Sequence, residues 1–250
     1  MQDQIYENVI TVGDPDRVEA VAKHLDSTHY KVQKREFSSI GGQIGDKKIT
    51  IISTGIGTDN VDIVFNELSF LLNFNLQTRE KKANSKNIDI FRIGTSGSVS
   101  EDVALGSFVY SKNVISFDDL FKFYTQKFDT ITFDNREYEV IPCSRSLEQR
   151  LESFQPSLTL TAKGFYAPQF RRSALEPKYS LNDLASISYK NQRVGNIEME
   201  TAGIYGLSQL LGFNAISLNA ILADRINGTF SPNPEAVIEK LIVKTLDIIC

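Results

Sequence analysis

The sequence predicts an α/β fold: a single domain with a mixed central β-sheet flanked by helices. Three observations carry this reading. Short apolar, β-branched runs recur along the whole chain, stretches with helical spacing lie between several of them, and one glycine-rich segment reads as a hairpin. Strands separated by helices imply parallel neighbours, whereas a hairpin makes an antiparallel pair, so the sheet is mixed.

The first strand is VITV at 9–12, closed by Gly13. Asp14-Pro15-Asp16 is turn and helix-start chemistry, because a carboxylate caps free amides and proline fits the first helical turn. Residues 16–25 then set Val18, Val21, Ala22 and Leu25 on one face. In REFSSIGGQIGDKKITII (35–52), Gly41-Gly42 and Gly45-Asp46 predict turns, and ITII at 49–52 predicts a strand. A second helix at 59–74 carries Ile63, Val64, Leu68, Leu71 and Leu72 in a stripe that Glu67 interrupts. The polar NLQTREKKANSKN at 75–87 reads as an excursion beyond it. Further strands are expected at 88–93, 108–115, 158–161 and 215–222, and helices at 201–211 and 234–249. Residues 117–139 mix aromatics with acids, a composition suited to covering a pocket or a partner chain. No repeat, low-complexity tract or long linker divides the chain, so 1–250 reads as one domain.

A chain of 250 residues buries a substantial core without disulfides. Its formal net charge of −4 gives no electrostatic basis for nucleic acid or an anionic membrane as main partner, so any anion site is local. Two cysteines, Cys143 and Cys250, offer neither a disulfide framework nor metal-ligand spacing, and His24 and His29 are too few for a histidine metal site. No apolar run reaches the ~20 residues of a membrane span, and MQDQIYENV lacks a signal-peptide layout. A reducing cytoplasm is the expected location.

Four stretches carry possible chemistry, each with an ordinary alternative. VGDPDR (12–17) places Arg17 just after a strand, although Gly-Asp-Pro is also a plain corner. In FRIGTSGS (91–98) a strand ends in Arg92 and a small-residue loop follows; Arg92 suits phosphate, with Thr95 and Ser96 beside exposed N–H groups. Arg17 and Arg92 together suggest two guanidiniums at the carboxyl ends of strands, where open α/β sheets bind ligands. NIEMETAG (196–203) sets Glu198 and Glu200 around Met199: either a solvated strand edge, or acids for sugar hydroxyls and a thioether for an apolar ring face. GFYAPQFRR (164–172), if extended, points Gln169 and Arg171 the same way, as recognition of a planar heterocycle requires; a solvent-facing loop is the alternative. Neither Gly-x-Ser-x-Gly nor a P-loop is present.

Taken in order, GDPDR, KREF (34–37), STGIGTDN (53–60), RIGTSG (92–97), FYAPQFR (165–171), NIEMET (196–201) and LADR (222–225) resemble the nucleoside phosphorylase-I family, closest to its uridine phosphorylase branch, from about residue 8 to 245. The resemblance implies phosphorolysis: phosphate attacks C1′ of a nucleoside, uridine by expectation, giving uracil and ribose 1-phosphate. It assigns Gly13, Arg17, Arg92 and Thr95 to phosphate, with Arg35 lent to the neighbouring subunit. It assigns Thr95, Glu198, Met199 and Glu200 to ribose, and Ser96, Gly97, Phe165, Gln169, Arg171, Asp224 and Arg225 to the base. The catalytic group is Arg92, Glu200, Arg171 and Gln169. Inorganic phosphate is the co-substrate, and no cofactor is expected.

Departures from the pattern keep rivals in play. No histidine lies in the twelve residues before Gly13, where family members carry one that reaches the neighbour's ribose. Asp224 replaces an expected asparagine and resembles the purine branch, making a purine nucleoside phosphorylase the alternative. A nucleosidase using water, or a non-catalytic nucleoside-binding protein, completes the set. The 75–87 insertion resembles that of dimeric members, so a homodimer is expected and a hexamer is the alternative. Glu36 matches one ligand of an intersubunit cation, but Asn60 stands where a serine is expected, so no metal is expected.

Overall fold

The computed structural model describes residues 5–250. The chain opens with β1 (Asn8–Val12) and α1 (Pro15–Ala22), then a meander of β2 (Ser27–Lys34), β3 (Phe37–Ile44) and β4 (Lys47–Ser53). Helix α2 (Thr58–Asn73) leads to β5 (Asp89–Ser98) and β6 (Phe108–Phe117). The hairpin β7 (Asp129–Phe133) and β8 (Arg136–Pro142) precedes α3 (Arg145–Glu148) and β9 (Gln155–Ala162). Then come α4 (Leu181–Leu184), β10 (Ser188–Tyr189), β11 (Gln192–Glu198) and α5 (Thr201–Leu211). The chain finishes with β12 (Asn214–Asp224), β13 (Thr229–Phe230) and α6 (Pro234–Ile249).

These strands join in one mixed sheet, whose main path runs β10-β11-β9-β6-β12-β5-β1-β4-β3-β2. At its centre β5 is parallel to β1 and β12, and β1 is parallel to β4. The β2–β3–β4 meander is antiparallel, as are β12–β6, β6–β8 and β11–β5. Both faces are covered, which is why the central strands read as continuous apolar runs. Ile10, Phe91 and Ile216 face α1 and α6, meeting Val18, Val21, Leu241 and Ile242. Their neighbours Val9, Ile90 and Ala215 face α2 and α5, meeting Phe65, Leu68 and Tyr205. No helix among the described residues is long and apolar enough to cross a membrane.

The expected strands and helices are present, but Gly41-Gly42 is no turn. Strand β3 runs through it, paired with β2 and β4. A Cβ on Gly41 would stand 2.0 Å from the Tyr30 ring, and one on Gly42 would stand 2.3 Å from the Ser27 carbonyl oxygen. The glycines serve close packing, and the chain reverses at Gly45-Asp46, where Gly45 takes a φ of 55°. Residues 75–87 form the expected excursion, tied by a bridge from Phe74 to Lys81. Residues 117–139 do not line the central cavity. Several of their aromatics pack internally, Phe117 stacking on Tyr138 at 4.1 Å and Phe121 being buried, and β8 pairs with β6, whereas Phe123 is exposed.

Candidate active site

A cavity of about 790 Å³ lies where the carboxyl ends of the central strands converge. Gly13 to Arg17 follow β1, Gly55 to Asn60 follow β4, and Phe165, Gln169 and Arg171 follow β9. The last residues of β5, β11 and β12 form its floor. Of the residues singled out in the sequence, Gly13, Arg17, Arg92, Thr95, Ser96, Gly97, Phe165, Gln169, Arg171, Glu198, Met199 and Glu200 line this one space. Arg35, Asp224 and Arg225 do not.

At one end Asp14 caps α1, its Oδ1 accepting from the Asp16 N–H at 2.9 Å with Pro15 in the first turn. This start aims Arg17 into the cavity. Its Nη1 donates to the Ile93 carbonyl oxygen at 3.5 Å, and no carboxylate of the described residues forms an ion pair with it. Burial lowers its pKa against the opposing pull of Asp14, and nearby Arg92 lowers it further. A half-buried guanidinium with unspent donors is a receptor for an oxyanion.

The expected loop after Arg92 is absent. Strand β5 stays extended to Ser98, held by β12 in register from Arg92↔Ser217 to Ser98↔Asp224. Its glycines provide space for guanidiniums: a Cβ on Gly94 would stand 1.7 Å from Arg92 Nη1, and one on Gly97 would stand 2.8 Å from Arg225 Cδ. Arg92 is 4% exposed. Its Nη2 lies 2.5 Å from Glu200 Oε2 and 3.0 Å from Glu198 Oε2.

Both acids are buried, which excludes the solvated strand edge. Glu198, the last residue of β11, accepts from Thr161 Oγ1 at 2.5 Å and from the Glu200 and Thr201 N–H groups at 2.9 Å, anchoring the start of α5. Adding Arg92 commits its acceptor capacity. Among the described residues Glu200, at the N-cap position of α5, accepts only from Gly57 N–H at 2.9 Å and from Arg92. Each Glu200 oxygen therefore keeps a lone pair for a ligand hydroxyl. Burial raises the Glu200 pKa, and Arg92 opposes the rise.

At the other end the 164–172 segment is not extended. A 3-10 turn at Ala167–Gln169 ends in left-handed Phe170, with φ 59°. The turn still brings both expected side chains to the cavity, with Gln169 buried. The Arg171 guanidinium lies 4.2 Å from the Phe165 ring centroid, and its buried Nε has no partner. Arg225 packs behind Gly97, donating from Nη2 to the Gln169 carbonyl oxygen, while its buried Nη1 is unpartnered. Burial beside Arg171 pulls the Arg225 pKa down to about 10. Asp224 instead closes the β12–β13 turn, accepting from the Ile226 and Asn227 N–H groups at 3.0 and 3.1 Å and from Asn227 Nδ2 at 2.7 Å. These hydrogen bonds lower its pKa and keep it ionised. Arg35 is exposed at the β2–β3 turn, with φ 56°.

Sequence reasoning missed two groups. Ile56 and Phe230 are exposed apolar side chains on the cavity lip, and both lie in short loops or strands without periodicity. Ser217 and Asn219 bond Arg92 from inside β12, within the run at 215–222 that the sequence shows only as a strand.

Fold and site together define an α/β protein whose cavity, at the carboxyl ends of its central strands, gathers Arg17, Arg92 and Arg171 with Glu198 and Glu200. The chain belongs to the phosphorylase superfamily, which it matches over residues 7–245. It is 24% identical to a uridine phosphorylase of Thermococcus kodakarensis, over 89% of this chain and 74% of that one. It is 25% identical to a DeoD-type purine nucleoside phosphorylase of Buchnera aphidicola, over 94% of this chain and 89% of that one. A solved structure of a Trypanosoma brucei nucleoside phosphorylase, described as showing uridine phosphorylase activity, superposes with a TM-score of 0.86 at 23% identity. That match covers 99% of this chain and 94% of the other.

Proposed function

We propose that this chain is a pentosyltransferase that cleaves uridine with inorganic phosphate, yielding uracil and ribose 1-phosphate in pyrimidine salvage. The observation that carries the reading is the pair of guanidiniums without carboxylate partners among the described residues, Arg17 and Arg171, that line one cavity together with Glu200. Phosphate binds beside Gly13, Arg17, Arg92 and Thr95, and ribose hydroxyls bind Glu200 over Met199. A phosphate oxygen attacks C1′ as the C1′–N1 bond breaks. The electron pair goes to the uracil ring, which gains a proton on release.

No side chain acts as nucleophile. Holding phosphate against C1′ supplies proximity, and Arg171 with Gln169 stabilises charge that develops mainly in the transition state. Neither a metal ion nor an organic cofactor enters this reading. Arg35 is assigned to the phosphate site of a neighbouring copy, so the working form is a cytoplasmic homo-oligomer, a dimer by the 75–87 insertion.

A pyrimidine is favoured over a purine because Asp224, the purine-like feature, is committed to the β12–β13 turn outside the cavity. The test is base release from uridine, thymidine, inosine and adenosine, each with and without phosphate. The expected result is phosphate-dependent release from pyrimidine nucleosides alone. Release from purines would overturn the base assignment. Release without phosphate would make the protein a hydrolase, and stabilisation by nucleoside without any release would make it a binding protein.

A further inference from the structure

Asn219 does not line the cavity, yet it is fully buried and bonded to Arg92, the most buried of the cavity's arginines. Its Oδ1 accepts from Arg92 Nη1 at 2.8 Å, and Ser217 Oγ accepts from the same nitrogen at 3.3 Å. The register explains the contact. Strand β12 runs parallel to β5 with Ser217 beside Arg92 and Asn219 beside Gly94, so all four positions share one face of the sheet. Arg92 folds back along its own strand over Gly94, where a Cβ would stand 1.7 Å from Nη1 and 2.4 Å from Cζ. Gly94 is thus an empty seat for the guanidinium, and Asn219 forms its side. Asn219 is fixed in turn, its Nδ2 donating to Ser217 Oγ at 3.2 Å and Ser111 Oγ at 3.3 Å.

We propose that Asn219 is a positioning residue for the phosphate site: it holds Arg92 Nη1 in the Gly94 seat, so that the Nη2–Nε edge is the one left to the incoming anion. This rests on the reading of Arg92 as a phosphate ligand. The physical case is a count of donors. A guanidinium carries five N–H groups in a fixed plane. Both on Nη1 are committed to β12, and Nη2 faces Glu200 and Glu198 at 2.5 and 3.0 Å. The fifth N–H is on Nε, so with Nη1 held by Ser217 and Asn219 the donors left for an anion are those on the Nη2–Nε edge, and exchange between carboxylate and phosphate takes place there. A neutral amide suits this task. An apolar side chain at 219 leaves a buried donor unmet, and a carboxylate there becomes a third anion competing with phosphate for Arg92.

The experiment uses the full chain and measures phosphate affinity by calorimetry, together with separate KM values for phosphate and uridine. Asn219→Ala is expected to weaken phosphate about tenfold or more, the scale of a lost charge-assisted hydrogen bond, with a much smaller change in the uridine KM. Asn219→Asp, which keeps the shape and carries the test if the alanine variant fails to fold, is expected to weaken phosphate at least as much. Unchanged phosphate affinity in the folded variants overturns the proposal. So does an equal loss for both substrates with a lowered Tm, the signature of a merely structural role. The wild-type protein separates the two levels: if it neither binds phosphate nor needs it for base release, the reading of Arg92 as a phosphate ligand is what fails.

Discussion

At the scale of single residues, Glu200 and Arg171 pose opposite electrostatic problems. Glu200 is buried beside a second acid, so its pKa rises even though Arg92 and the Gly57 N–H oppose the shift. In the proposed reaction its ionised form accepts from ribose hydroxyls, so activity is expected to require pH above that raised value. The acid limb of kcat/KM for uridine is therefore expected above the ordinary glutamate range near about 4.3. Glu200→Gln should lower the plateau and remove that limb; a profile with the wild-type limb intact would assign it to another group. Arg171 is a cation with an unpartnered Nε, the Phe165 ring on one side and the Arg225 guanidinium nearby, and in the proposed reaction it meets charge that appears late. Arg171→Ala is expected to cost on the order of 10²-fold in kcat while leaving the phosphate KM unchanged. A loss confined to the uridine KM would instead mean that Arg171 binds ground state and transition state alike.

At the scale of elements, α5 links the site to the rest of the core, because Glu198 anchors its start, Glu200 sits at its N-cap position and Gly206 packs its second turn onto Phe121. A Cβ at Gly206 would stand 2.1 Å from Phe121 Cζ, and Phe121 is buried. Alanine is better than glycine in a helix by about 1 kcal/mol, but overpacking costs about 1–3 kcal/mol. Gly206→Ala is expected to lower the Tm, and adding Phe121→Leu should recover part of the loss. Additive effects in that double-mutant cycle would deny the contact. The same tertiary logic explains what was legible beforehand. Helices α1, α2, α5 and α6 and the central strands show in the sequence because each is long enough to display a period or an apolar run. Glycines at 41–42 and 94–97 read as turns or loops, yet all lie in strands, because Tyr30, Arg92 and Arg225 occupy the space beside Gly41, Gly94 and Gly97. No local pattern reveals which side chain fills the space over a glycine. Asn219 was illegible for the same reason: its partner is 127 residues away in sequence. The buried Glu198–Met199–Glu200 group showed by composition, but its division of labour, one acid anchoring α5 and the other open to ligand, needed the hydrogen bonds.

At the scale of the whole molecule, Arg35 remains outside the cavity that its own chain builds. It stands exposed on the turn between β2, the edge strand of the sheet, and β3. A cation at a sheet edge is in place to reach another copy, and in a twofold dimer each copy then completes the other's site. Mixed dimers test this directly. Arg35→Ala alone and Arg17→Ala alone are each expected to be nearly inactive at low phosphate. In a heterodimer of the two, the Arg35→Ala subunit keeps its own Arg17 and Arg92 and receives the partner subunit's Arg35, so one of its two sites is whole. Random assembly makes half the dimers mixed, so co-expressed chains should regain about a quarter of wild-type activity. Recovery at that level with a dimeric mass by ultracentrifugation would establish the shared site. A dimer that recovers nothing would place Arg35 in its own chain's cavity or outside the reaction, and a monomer that is fully active would remove the need for a second copy.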